Sequence, residues 1–131
     1  LYVRPASHAG GPSGPIGTVP YGVRMRLKSN FNMSGYSAAA QVILRTMQRY
    51  GIVLADGGNI ALTFESDRYT SASWDSLGIE ARTFVDVVNG STPVLVSHFE
   101  IIDTGARIGE TWNCVRSTVN VPDLIFADGF E

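Results

Sequence analysis

The sequence predicts a mainly β domain with one amphipathic α-helix. It implies an α+β arrangement of β-sandwich or jelly-roll type, forming part of a larger β unit. Three observations carry this expectation. Short strand-like segments recur along the chain, and one segment alone carries a helical apolar stripe. Several strands are also apolar on both faces, which favours a sheet covered by a second sheet or by the helix.

The chain opens with Leu1 and Val3 alternating against Tyr2 and Arg4, the pattern of a strand that needs a neighbour. Residues 9–20, AGGPSGPIGTVP, hold four Gly and three Pro with no charge, so they form a surface loop. Residues 21–28 then alternate cleanly. Val23, Met25 and Leu27 share one face, and Arg24, Arg26 and Lys28 share the other. In SGYSAAAQVILRTMQRYG, Ser37 is the expected N-cap and Gly51 the expected residue beyond the C-cap. Ala40, Ile43, Leu44 and Met47 form the apolar stripe, while Arg45 and Arg49 suit the helix dipole near the C-terminal end.

IVLAD, which follows at once, is too apolar for a half-exposed strand and predicts an interior one. DGGN supplies a turn, and the alternation in IALTFE completes a hairpin. Residues 66–80 are polar with isolated aromatics and predict a loop with at most one short helical turn. Residues 81–88 predict a short strand ending at the turn dipeptide Asn89-Gly90, residues 92–103 a long strand, and residues 109–121 a weaker one. Residues 120–131 form a tail. The 131 residues make a single domain or the C-terminal part of a larger one.

Composition bounds the function. A hydrophobic content of 44% and a charged content of 17% are those of a globular protein, and no apolar run is long enough to cross a bilayer. The net charge is −2, which argues against nucleic acid as a partner. The charge is uneven, since residues 1–50 carry six basic groups and no acid, while all twelve acids lie in residues 51–131. The bland reading is that the two halves complement each other; an acidic partner or an anionic glycan is the alternative. The lone cysteine, Cys114, fits a buried thiol or a bridge to another chain, and no metal or cofactor is expected. A start at Leu1 without a leader suggests a processed chain.

No complete enzyme motif is present. Period two places His98 and Glu100 on one face of the expected long strand, about 7 Å apart, where they could share a substrate or metal. With Val94, Val96 and Ile102 on that face, a hydrogen-bonded half-buried pair is simpler. Asp56 opens the DGGN turn. The turn itself explains an Asp there, although a carboxyl group at a strand end can reach a cleft. His8 stands at the mouth of the Gly/Pro loop, as a ligand contact or an exposed loop histidine. Arg24 and Arg26, with Lys28, could clamp a carboxylate or uronic acid, or form a solvated strand face. Trp74, Tyr69 and Trp112 could stack on sugar rings or pack in a core or interface.

The order PASH, PYGVRMRLK, SGYSAAAQVILRTMQRYG, LADGGN resembles a family of secreted bacterial and fungal proteins. That family has P-A-x-H, a Pro-rich gap, P-P-x-G-x-R-x-R-L-K, a helix ending Y-G and an A-D-N-G turn. FEIIDTG resembles its closing strand, and the tail LIFADGFE resembles endings of secreted proteobacterial proteins. Gly57 stands in place of the family's Asn, and residues 61–90 do not follow its pattern. Members are larger, with this stretch as their C-terminal part, and often travel with carbohydrate-binding modules. The resemblance marks His8, Arg24, Arg26, Lys28 and Asp56 as motif positions. It implies a secreted protein, extracellular or periplasmic, directed at a polysaccharide or oligosaccharide. The expected function is a glycoside hydrolase or lyase component, and the alternative is a non-catalytic glycan-binding or structural module. A second polypeptide, or a second copy, is expected to pair with the N-terminal strand.

Overall fold

A computed structural model describes residues 1–9, 18–55, 62–102 and 105–109. Three strands form an antiparallel sheet: β1 (Arg24–Leu27), β2 (Ile52–Val53) and β3 (Phe99–Ile102), in the order β2-β1-β3. One helix, α1 (Ala38–Arg49), packs on β1. The protein is thus a small mixed α/β domain. The described residues form a single sheet and not the two of a sandwich.

The helix ends where the sequence places them. The Ser37 hydroxyl accepts the Ala40 N–H at 3.2 Å, satisfying one orphan donor of the first turn. At the other end Gly51 takes φ +76 and donates to the Met47 carbonyl at 3.1 Å, the left-handed stop that glycine favours. Gly51 also admits close approach, because a Cβ there would lie 2.5 Å from the Met25 carbonyl oxygen. The chain therefore turns directly from α1 into β2.

The alternation of residues 24–27 determines what the sheet buries. Leu27 turns to α1 and packs with Ala40, Leu44 and Met47, joined by Phe31, Tyr36, Ile79 and Phe84. Ile43, the other member of the predicted stripe, is partly buried against this cluster. Leu27 and Leu44 are its largest fully buried side chains. Burying each such side chain contributes about 1.5–3 kcal/mol.

Several expectations are corrected. IVLAD does not supply an interior strand: β2 lies at the sheet edge with Ile52 and Val53 half-buried, and β1 is central. Residues 62–65 of the expected hairpin are outside the ladder, and its turn lies outside the described residues. Residues 81–86 form turns instead of a strand, with Val85 and Asp86 both donating to the Arg82 carbonyl. Arg82 and Asp86, four residues apart, hold this curled form through an ion pair. It sends Phe84 alone into the core and leaves Val87 and Val88 exposed.

The long strand expected over 92–103 is shorter. Residues Val96–His98 are a 3-10 turn, and pairing begins only at Phe99. Asn89 and Gly90 do form the predicted turn, both with positive φ. Behind it, the Tyr36 hydroxyl donates to the Thr92 carbonyl at 2.6 Å and Ser91 is buried, so the loop is pinned to the core.

The opening segment is paired within the chain. Tyr2 and Ile108 exchange backbone hydrogen bonds at 3.0 and 2.8 Å, and the Val3 N–H donates to Tyr21 at 2.8 Å. Tyr2 and Val3 are buried there, so this edge is covered rather than open. Among the described residues no helix is long and apolar enough to cross a membrane.

Candidate functional site

The basic face of β1 is built into the fold. Arg24 donates through Nη1 to the Tyr50 carbonyl at 2.6 Å, where a cation suits the helix C-terminus. Arg26 donates through Nε to Glu100 Oε1 at 2.8 Å, and its Nη2 lies 2.7 Å from the same oxygen. Lys28 Nζ donates to the Ser97 carbonyl at 2.9 Å. Each cation thus has a partner on a neighbouring element. The charge complementarity expected between the two halves is realised here by Arg26 and Glu100.

His98 and Glu100 do not form a pair. The 3-10 turn breaks the period-two pattern that would have aligned them. His98 Nδ1 accepts the Leu95 N–H at 3.1 Å, so the neutral ring carries its proton on Nε2, and the ring packs edge-on against Phe31 at 5.0 Å. Glu100 turns across the sheet to Arg26. His8 is exposed and shares a hydrogen bond with Ser7 at 3.2 Å. Asp56, Trp112 and Cys114 lie outside the described residues. Among the described residues no group of three His, Cys, Asp or Glu side chains could hold a metal ion.

Trp74 is different, because the structure builds a recess around it. Asp67 Oδ2 accepts the Trp74 backbone N–H at 2.8 Å, and the indole Nε1 donates to the Glu65 carbonyl at 2.9 Å. Phe64 packs tilted against the indole at 5.2 Å. These three contacts fix the ring's position and orientation. Thr70 Oγ1 ties the loop together through the Asp67 and Ala72 carbonyls at 3.0 and 2.6 Å. Ser73 and Ser76 close its far end through reciprocal hydrogen bonds.

Two hollows flank the indole. One, of about 280 Å³, is lined by Glu65, Asp67, Thr70, Ser71, Ser73 and Trp74, among others. The second, of about 150 Å³, has Leu62, Phe64, Ile79 and Phe84 on its walls, and both hollows are mainly apolar. Tyr69 stands beside the larger hollow in sequence, 90% exposed, with the Arg68 guanidinium 5.5 Å from its ring centre. An aromatic wall with hydroxyls and carboxylates around it can grip a ligand that has both an apolar face and many hydroxyl groups.

Sequence reasoning named Trp74 but missed Glu65, Asp67 and Thr70. The available signal was an Asp seven residues before a Trp in a Ser/Thr-rich loop, and that spacing belongs to no periodic element. No family model, curated protein or solved structure matches the chain.

Proposed function

We propose that this chain is a secreted, polysaccharide-directed protein that holds a saccharide unit against Trp74 in the hollow of residues 65–77. The observation that carries this reading is the fixed indole on the wall of a hollow that Glu65, Asp67, Thr70, Ser71 and Ser73 also line. Sugar rings offer apolar C–H faces to an aromatic wall and hydroxyls to the acceptors around it. The resemblance to carbohydrate-associated secreted proteins supports the same direction. Isothermal calorimetry with a panel of soluble oligosaccharides tests it. Binding that Trp74→Ala weakens by about tenfold or more supports it; no binding across the panel, with a folded protein, overturns it.

A second reading, as a glycoside hydrolase or lyase component, is favoured by one feature, the two carboxylates of Glu65 and Asp67 on one hollow. Product analysis on the same panel separates the two readings. New reducing ends or unsaturated products, lost in Glu65→Gln, would establish the enzyme.

The larger sandwich or jelly-roll unit and the second polypeptide belong to this proposal as well. Leu95, Val96 and Ile101 are exposed on and just before β3, an apolar surface that a further layer would cover. The N-terminal segment does not require such a partner, since Ile108 and Tyr21 already take the backbone groups of Tyr2 and Val3. Light scattering at micromolar concentration distinguishes a monomer from a dimer.

A further inference from the structure

Resting on the saccharide reading, we propose that the hollow of residues 65–77 beside Trp74 selects by charge: it prefers sugars bearing a free amino group and disfavours uronic acids. The hollow is lined by Glu65 and Asp67, and no Lys, Arg or His contributes to its wall. Asp67 spends one acceptor position of Oδ2 on the Trp74 amide, a bond that leaves Oδ1 unused. The Glu65 side chain enters no hydrogen bond or ion pair among the described residues. Both residues thus line the hollow with acceptor capacity left over.

The charged neighbours Arg68 and Arg82 do not line the hollow. The Arg68 guanidinium sits over the Tyr69 ring, and Arg82 is engaged with Asp86. The cations of β1 are tied to Glu100, Tyr50 and Ser97. A uronate would thus bring an acceptor-only anion against two further acceptor-only anions, with only the uncharged hydroxyls of Thr70, Ser71 and Ser73 on the same wall. An ammonium group instead donates to both in charge-assisted hydrogen bonds, while neutral hydroxyls donate without the charge.

The test is calorimetry at low salt and mildly acidic pH with three hexamers: glucosamine, glucose (cellohexaose) and galacturonate. The expected order is glucosamine tighter than cellohexaose by about tenfold or more, with galacturonate not bound. Glu65→Gln with Asp67→Asn should collapse that gap. The Asn carbonyl still accepts the Trp74 amide, so the loop keeps its shape, and circular dichroism checks this. Trp74→Ala should weaken the glucosamine and glucose hexamers together. Trp74-dependent binding of the galacturonate hexamer, or equal affinity for the other two, overturns the charge selection and leaves the saccharide reading standing. Glucosamine binding indifferent to all three substitutions also overturns it, because it would then reflect the net charge elsewhere. Failure of every hexamer to bind overturns both.

Discussion

Arg26 on β1 stands directly opposite Glu100 on β3, its Nη2 2.7 Å from Oε1. The two side chains are 47% and 45% exposed, so water screens the pair. The cation that could have gripped a ligand and the acid that could have served catalysis are joined in one cross-strand contact. A double-mutant cycle on Arg26→Ala and Glu100→Gln should give a coupling of about 0.2–1 kcal/mol, shrinking with salt. Saccharide affinity should be unchanged in both. A Glu100→Gln protein that melts normally but loses function would restore the catalytic role.

His98 is predicted to matter for stability and not for ligand binding. His98→Ala removes the acceptor of the Leu95 N–H and the edge contact with Phe31. The bond is exposed and water can replace part of it, so the expected cost is about 1 kcal/mol by urea unfolding. An unaltered unfolding midpoint together with lost affinity would contradict this.

Gly51 and Gly78 make a matched pair of tests. Both have positive φ, +76 and +67, so alanine at either meets left-handed strain of about 1 kcal/mol. At Gly78 nothing lies within 4 Å of an added Cβ, whereas at Gly51 the Met25 carbonyl oxygen lies at 2.5 Å. Gly51→Ala is therefore expected to cost at least about 2 kcal/mol and Gly78→Ala only the strain. Similar unfolding midpoints for the two variants would show that β1 yields to the added methyl.

Tyr36 supplies a pH dependence. Burial pushes its phenol above the ordinary 10.0, with the Ser91 hydroxyl offsetting part of the rise. In alkali the unfolded chain releases this proton first, so it binds fewer protons than the native state and stability falls as pH rises. The contribution is intact below 10.0 and is lost as pH climbs from there through the raised native value. Tyr36→Phe lacks the titrating group and should flatten the alkaline decline, while losing the bond to the Thr92 carbonyl at every pH. Parallel alkaline slopes for the two proteins would remove Tyr36 as the cause.

Features that local chemistry controls were legible in the order of residues. Ser37 and Gly51 bound α1 because a hydroxyl cap and a left-handed stop act within one helical turn. The faces of β1 followed from alternation, and the turn at Asn89-Gly90 from two residues that tolerate positive φ. Which apolar segments join the sheet depends instead on long-range packing. Residues 81–88 and 92–98 have β-like composition, yet one curls to lodge Phe84 in the core and the other turns through Val96–His98 before β3 begins. It also decided what the candidate residues touch. Arg26 meets Glu100 across 74 positions, and Asp67 meets Trp74 across a loop without period. Such contacts depend on how distant segments close around one core, and residue spacing along the chain does not encode that closure.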